Sequence, residues 1–226
     1  MDRYLICESA QFIKRQNEKV LPDKVIFDAI IQTVDTKNRN GRVYTKDAID
    51  NALKMKMEMI GNNSRGFLGE LDHPDVTGIN DPNKIDARLS NVLWDRVCIV
   101  ITKTWWKGNE LWATIESTLT GKGPEIVKIV KDKIPLGFSL RAIAEGRRNS
   151  DHILIDKIDY IVSYDAVTTP SHKEALMRKL NEERFYNITE SLKINQGIDL
   201  CCKLNIDNNN NKLTKQKLYD LLLKWG

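Results

Sequence analysis

The sequence predicts an α+β fold that is richer in strands than in helices, and three observations lead to this prediction. Strand-like apolar runs recur along the chain, at residues 25–34, 92–104, 111–119, 136–147 and 153–167. Turn residues such as Asn40-Gly41 and Lys107-Gly108-Asn109 stand between several of them. Helix-like spacing or start signals occur at only a few places, near residues 45–60, 124–130 and 170–186. We therefore expect about six strands and few helices.

The composition is that of an ordinary globular protein. The chain has 226 residues, of which 41% are hydrophobic and 29% charged, enough for one well-cored domain plus tails. Its 35 basic and 31 acidic residues are interspersed, which argues against a nucleic-acid partner. The 4 cysteines lack CxxC spacing and predict free thiols. No run approaches the roughly 20 apolar residues of a membrane span, and no signal peptide is evident, so we expect no membrane partner.

The chain divides into four predicted parts. Residues 1–22 are polar and mixed, and we expect a short helix there. Residues 23–186 form the folded domain, residues 187–212 an asparagine-rich linker, and residues 213–226 an amphipathic helix. Inside the domain, residues 61–91 form a long irregular stretch. Loops of this length are often functional, so this stretch is where we expect part of a site.

One strand-like segment, Leu136-Gly137-Phe138-Ser139-Leu140-Arg141-Ala142, has an unusual face. Residues two apart on a strand point to the same side, so Gly137, Ser139 and Arg141 share one face and the apolar residues share the other. That face offers a hydroxyl group, a cation and a place where a substrate backbone can come close. The arrangement suits a nucleophilic serine if the chain supplies a base and an orienting acid.

Few residues can act as that base, because the chain has only 3 histidines. His73 lies in the long irregular stretch, within Gly69-Glu70-Leu71-Asp72-His73-Pro74. His152 falls in a predicted turn and His172 at the start of a predicted helix, and both are poorer candidates. Among the acids, Asp165 is unusual because it lies near the end of an apolar strand, where a charge is costly unless it is paired.

Four segments in this order resemble the prohead proteases of tailed bacteriophages, which are related to the herpesvirus assemblins, and the myovirus core protein proteases above all. The segments lie within residues 25–180: Gly41-Arg42-Val43-Tyr44, Gly69-Glu70-Leu71-Asp72-His73-Pro74, Gly137-Phe138-Ser139-Leu140-Arg141, and Asp165-Ala166-Val167-Thr168-Thr169-Pro170-Ser171. Each segment is short, and the order of all four carries the likeness. It implies a compact β-barrel of about six to seven strands surrounded by a few helices, and a serine endopeptidase that needs no cofactor.

The resemblance also implies roles for individual residues. Ser139 would be the nucleophile, His73 the general base and Asp165 the third member of a triad. The third role is less fixed by the likeness, because assemblins use a second histidine where the phage enzymes look acidic. The shared face of the strand, rather than the likeness, predicts two further roles: Arg141 is expected to bind the oxyanion or a substrate carboxylate, and Gly137 to let the substrate backbone come close.

Substrates and location follow from the same resemblance. The phage enzymes cut after an apolar-x-Glu triplet in scaffold or core proteins and in the major capsid protein. They do so inside the assembling prohead, in the host cytoplasm. Here such triplets end at Glu8 and Glu190, which bracket the folded domain and are candidate self-cleavage sites. The C-terminal helix would either dock the precursor in the scaffold core or pack on its own domain, and a homo-oligomer is left open.

Three other readings compete with the protease. A catalytically silent capsid-assembly or scaffold-associated protein on the same fold would not bring the three triad residues together. A metal-dependent hydrolase would use the ligands Asp72, His73, Asp75 and Asp81, although one histidine without a second cluster makes this a poor set. A nucleic-acid-binding module is disfavoured by the dispersed charge.

Overall fold

Two β-sheets make up most of the fold. The computed structural model describes residues 1–7, 11–12, 15–61, 66–167 and 177–180. The strands are β1 (Asp2–Cys7), β2 (Gln11–Phe12), β3 (Arg15–Val20), β4 (Val25–Thr33), β5 (Arg42–Tyr44), β6 (Phe67–Glu70), β7 (Val97–Lys107), β8 (Glu110–Ser117), β9 (Gly137–Arg148), β10 (Ile153–Val167) and β11 (Met177–Leu180). The helices are α1 (Lys46–Ile60), α2 (Pro82–Ser90) and α3 (Gly123–Lys131).

The first sheet is built around the long antiparallel pair of β9 and β10. Its strand order is β11-β1-β9-β10-β5, and β2 also pairs with β9. Strand β10 pairs with the whole length of β9, from Arg148 to Gly137, so β1 and β2 follow one another along the other edge of β9. The pairing of β9 with β10 contains three register shifts, which bend the pair.

The second sheet has the order β3-β4-β8-β7-β6. Its end strand β6 approaches β10 of the first sheet, where Leu71 forms an isolated parallel bridge with Ala166. The α+β class is confirmed, but the predicted closed barrel is not. A barrel requires the outermost strands to pair with each other, whereas β5, β11, β3 and β6 each end a sheet.

The hydrophobic core lies between the two sheets. Alternate residues of β4 point into it, as the predicted strand at residues 25–34 requires. Phe27 of this strand packs against Phe138 of β9, with ring centroids 6.3 Å apart. The apolar face of β9 is thus committed to the core, which leaves Ser139 on the opposite face.

The helices cover the sheets. Helix α1 begins after Thr45, whose side chain accepts a hydrogen bond from the Ala48 N–H at 3.2 Å. Its buried face packs on β10 and includes the four residues Ala48, Ile49, Ala52 and Leu53 that helical spacing predicts. Helix α2 contacts β1 and β9. In the part of the chain that the structure describes, no helix is both long enough and apolar enough to cross a membrane.

Several predicted elements differ from the observed ones. The irregular stretch at 61–91 contains β6 and α2, and the described residues of the segment at 1–22 contain the strands β1, β2 and β3 where a helix was expected. The strand predicted at 92–104 begins at Val97. In the helix predicted at 170–186, the described residues Met177–Leu180 are a strand. The predicted linker and C-terminal helix lie outside the described residues, and the division into four parts stays a prediction.

Candidate active site

Ser139 and Asp165 face each other across the first sheet. They are partners in the register of β9 and β10, and the two residues are 1% and 0% exposed, respectively. Because side chains of paired residues project from the same face of a sheet, the serine and the carboxylate share the face that the sequence pattern predicts. Residues two positions away along each strand, Arg141 and Ser163, are likewise paired and lie on this face.

His73 reaches this face from the turn that follows β6. The bridge between Leu71 and Ala166 and a 2.7 Å hydrogen bond from the Asp72 N–H to the Ala166 carbonyl fix the turn against β10. Asp72 adopts a left-handed conformation, with φ of 59°, which directs the chain away from the strand direction. The turn therefore carries the imidazole to a defined position beside the β9–β10 pair.

The imidazole lies between the serine and the carboxylate. His73 Nε2 is 2.8 Å from Ser139 Oγ, and Nδ1 is 3.5 Å from Asp165 Oδ2. The second distance exceeds that of an ordinary hydrogen bond, and catalytic contacts are often this long before substrate binds. The side chain of His73 is 13% exposed and that of Asp165 is fully buried. The structure thus brings together the three residues that the sequence singles out.

The carboxylate of Asp165 is held by several donors. Its Oδ1 atom accepts from the Glu70 N–H at 3.1 Å, from Ser163 Oγ at 2.8 Å and from Arg141 Nη2 at 3.2 Å. Its Oδ2 atom lies 2.8 Å from Arg141 Nε. Burial would raise the pKa of Asp165, but Arg141, His73 and Ser163 outweigh it and lower the pKa below its ordinary value. The group is therefore a carboxylate at neutral pH.

Arg141 is fully buried and its donors are engaged within the protein. Besides Asp165, its Nε atom donates to Ser163 Oγ at 2.9 Å, and Nη1 donates to the carbonyls of Leu89 and Asn91 at the end of α2. Burial would lower the pKa of Arg141, but Asp165 and Glu70 raise it above its ordinary value. The predicted face is correct, yet the guanidinium group lies inside the protein rather than at an open surface.

Glu70 and Ser163 belong to this cluster and were not singled out by the sequence. Glu70 is fully buried, lies 3.4 Å from Arg141 Nη2 and receives two hydrogen bonds from Arg88, at 3.2 and 2.8 Å. Ser163 is separated from Asp165 by one residue, the same spacing that relates Ser139 to Arg141. That i, i+2 repeat of polar residues within an apolar strand is the signal that could have identified Ser163.

Other predicted residues lie elsewhere. Gly137 begins β9 and pairs with Phe12 and Val167 on its two edges. His152 contacts Asp151 in the turn between β9 and β10. Glu8, Glu190 and His172 lie outside the described residues.

The carboxylates proposed as metal ligands have local structural partners. Asp75 Oδ1 accepts from the Thr77 N–H, and Asp81 caps α2 by accepting from the Asn83 N–H. Within the described ranges, no three His, Cys, Asp or Glu side chains are grouped so that they could hold a metal ion. The local hydrogen bonds account for the positions of these acids.

The chain is similar to known proteins at the level of family and of fold. Residues 22–218 match the model of the Peptidase S80 family. The fold is similar to that of the capsid assembly protease gp21 of bacteriophage T4, with a TM-score of 0.57 and 19% sequence identity. This match covers 74% of the present chain and 99% of the other. No curated protein sequence matches the chain. The resemblance drawn from the four segments is confirmed at the level of the family.

Proposed function

Because the chain belongs to the Peptidase S80 family, we propose that it is a serine endopeptidase that processes scaffold or core proteins and the major capsid protein during phage prohead maturation. The observation that carries the proposal is the 2.8 Å contact between Ser139 Oγ and His73 Nε2, with the buried Asp165 carboxylate on the other side of the ring. The structural relative is a capsid assembly protease of a phage, which supports this choice of substrates.

The proposed reaction follows from the order of the three groups. Ser139 Oγ attacks the scissile carbonyl carbon while its proton passes to Nε2 of His73. Asp165 stabilises the resulting imidazolium and keeps the remaining N–H on Nδ1. The imidazolium then protonates the leaving amine, and the C–N bond breaks to leave an acyl-enzyme. Water attacks this ester, giving one proton to His73, and the proton returns to Ser139 as the acid product leaves.

We extend the proposal to the position of the cut, which is expected after an apolar-x-Glu triplet. The chain would then cut itself after Glu8 and after Glu190, in the prohead within the host cytoplasm. Intact mass spectrometry of the purified wild-type chain and of Ser139→Ala tests this. We expect the mass of the chain cut at both sites for the wild type and the full-length mass for Ser139→Ala. Full-length masses for an otherwise active wild type would rule out self-cleavage.

The main experiment is co-expression with the scaffold and capsid proteins from the same phage. Cleavage is expected with the wild-type chain, and with the matched control Ser150→Ala in an exposed turn, but not with Ser139→Ala. A fluorophosphonate should label the wild type at Ser139 and leave Ser139→Ala unlabelled. Unchanged processing by Ser139→Ala would end the proposal. No processing and no labelling by a folded wild type would favour the alternative, a catalytically silent capsid-assembly or scaffold-associated protein.

A further inference from the structure

The two oxygens of the Asp165 carboxylate have different surroundings. Oδ1 accepts three hydrogen bonds, from the Glu70 N–H, from Ser163 Oγ and from Arg141 Nη2. Oδ2 is the oxygen nearest to His73 Nδ1. Because Oδ1 is saturated by these donors, the carboxylate cannot rotate without breaking several buried hydrogen bonds, each of which is costly to lose.

Arg141 contributes charge to Oδ2 without taking its hydrogen bond. The Nε atom of arginine carries a single hydrogen, and in Arg141 it is directed at Ser163 Oγ, 2.9 Å away. The same Nε lies 2.8 Å from Oδ2, close enough for a strong ionic attraction. Oδ2 is thus left to accept the Nδ1–H of His73. Ser163 links the two charged groups, because its hydroxyl accepts a hydrogen bond from Arg141 and donates one to Asp165.

Glu70 holds the arginine in turn. Its buried carboxylate lies between Arg141 and Arg88, and it also accepts from the Leu93 N–H. The four side chains of Asp165, Glu70, Arg141 and Arg88 carry two negative and two positive charges, so the cluster is neutral. A neutral cluster avoids the large cost of an unpaired buried charge.

We propose that Ser163 and Arg141 are positioning residues, which fix the Asp165 carboxylate with Oδ2 directed at His73, and that Glu70 fixes Arg141. This inference rests on the proposed function, because it concerns the same triad. It replaces the expected role of Arg141 at the oxyanion. It also predicts that the balance of charge around Asp165 sets how strongly this carboxylate attracts the imidazole proton: with Arg141 present, the attraction is weaker.

Other ionisable groups surround the cluster, and they are the same residues in every variant that the test compares. Cys98 of β7 faces Asp165 and Glu70, and its pKa is raised by burial and by those two acids. Cys7 of β1 and Lys56 of α1 lie near Arg141. Arg88 of α2 contacts Glu70 alone among the acids discussed here. A substitution at Ser163 changes no charge, so it isolates the hydrogen bonds from the charge balance.

The experiment measures kcat/KM as a function of pH for the wild type, Ser163→Ala, Ser163→Thr and Arg141→Lys. The substrate is a peptide in which an apolar-x-Glu triplet immediately precedes the bond to be cut. Ser163→Ala is expected to lower kcat roughly 10-fold with little change in KM. It should also move the acidic limb of the pH profile, the part in which kcat/KM rises with pH, to higher pH by about half a unit or more. The direction follows because a carboxylate with fewer donors binds the imidazole proton more strongly. Ser163→Thr keeps the hydroxyl and should restore both values.

The control is Ser117→Ala, a buried serine whose hydroxyl accepts from the Val25 N–H in the second sheet. It should leave the acidic limb in place even if it lowers stability. Arg141→Lys keeps one positive charge but loses the planar set of N–H donors of the guanidinium group, and it should also move the acidic limb of the pH profile to higher pH. A fall in kcat without a shift of the limb in Ser163→Ala, or failure of Ser163→Thr to restore it, would overturn the proposal.

A second measurement does not depend on activity. The chain has only 3 histidines, so NMR can follow the Nδ1–H resonance of His73 in isolation once Ser163→Ala, Ser163→Thr and the wild type are labelled. This resonance should move in Ser163→Ala and return to its wild-type position in Ser163→Thr, and an unchanged resonance in Ser163→Ala would contradict the inference. If Ser139→Ala cleaves as well as the wild type, the proposed function fails by itself, and the NMR comparison still decides whether Ser163 positions the carboxylate against His73.

Discussion

Ser139 and Asp165 are paired residues on neighbouring strands, yet the imidazole that lies within reach of both comes from a third element, the turn after β6. The hydroxyl and the carboxylate are fixed by the register of one strand pair. The imidazole depends on how the second sheet meets the first. The arrangement of these three residues is therefore sensitive to changes on either side of that junction.

Replacing Asp165 with asparagine tests the carboxylate. The amide has nearly the same shape but no charge, so it neither fixes the His73 tautomer nor stabilises the imidazolium. We expect kcat to fall by roughly 10⁴-fold, as for other serine triads. The matched control is Asp156→Asn on the same strand, where the carboxylate contacts Arg147 near the surface. Activity of Asp165→Asn within 10-fold of the wild type would contradict a role for this carboxylate.

The sequence predicts those parts of the fold whose pattern is local. Strand β10 occupies the predicted residues 153–167, and α1 has the predicted cap at Thr45 and the predicted buried face. Strand β1 was missed because it lies between β9 and β11, and three consecutive residues, Leu5, Ile6 and Cys7, are buried. Such a strand shows no alternation of polar and apolar residues for a pattern to reveal.

The candidate site divides in the same way. The four short segments identify Ser139, His73 and Asp165, which the structure brings together. The contact between Glu70 and Arg141 could not be predicted, because it depends on the register of three strands that are far apart in the chain. The inward direction of the Arg141 guanidinium was missed for the same reason: the pattern gives the face of a strand but not what covers that face.

Replacing Glu70 with glutamine tests the buried charge cluster. The substitution leaves the fully buried Arg141 and the partly buried Arg88 with one remaining carboxylate, and we expect the free energy of unfolding to fall by about 3 kcal/mol. Urea unfolding followed by circular dichroism measures the change. The control is Glu125→Gln, whose exposed pair with Lys128 should contribute about 0.5 kcal/mol or less. If both substitutions lower the free energy of unfolding by the same amount, the buried cluster contributes no more to stability than an exposed ion pair.

Replacing Gly69 with alanine tests whether the contact between β6 and β10 determines the position of His73. A Cβ atom at this position would lie 2.2 Å from the Tyr164 carbonyl oxygen and 2.9 Å from Ile99 Cγ1. In Gly69→Ala, β6 must therefore move away from β10, and the turn that carries His73 must move with it. We expect a loss of about 1–3 kcal/mol of stability, together with a lower kcat.

The control for Gly69 is Gly108→Asn in the turn between β7 and β8. Gly108 has φ of 59°, no atom beyond its two chain neighbours lies within 4 Å of the added Cβ, and asparagine tolerates this conformation. Its stability and kcat should stay close to those of the wild type. A Gly69→Ala protein with wild-type kcat would show that the position of β6 does not determine that of His73.

The pairing of β1 predicts whether the N-terminal peptide stays bound to the protein once the chain is cut after Glu8. Strand β1 pairs with β9 on one edge and β11 on the other, and Leu5 and Ile6 are fully buried. Residues 1–8 should therefore stay bound after cleavage. A chain carrying an introduced site for a sequence-specific protease after Glu8 can be cut and passed through size-exclusion chromatography. Mass spectrometry should find the peptide in the main peak, and a separate peptide peak would refute this.

Lys56 predicts an unusual dependence of stability on pH. It is buried in α1, where Nζ donates to the Tyr160 hydroxyl at 3.1 Å and to the Val162 carbonyl at 3.2 Å. Burial, and then the charge of Arg141, lower the pKa of Lys56 to about 8. In the unfolded chain the pKa of a lysine is about 10.4. Between these values the unfolded state binds more protons than the folded state, so stability rises with pH across this window.

The test compares the wild type with Lys56→Met, because the other titrating groups are common to both and cancel. From about pH 7 to about pH 10.5, the wild type should gain up to about 3 kcal/mol relative to Lys56→Met in urea unfolding. Below about pH 8 both states of the wild type hold the proton, so its full cost is present and the difference is constant. Lys54→Met, at an exposed position on the same helix, should differ from the wild type by the same amount at both pH values. A pH-independent difference for Lys56→Met would mean that Lys56 keeps its proton as readily in the folded protein as in the unfolded chain.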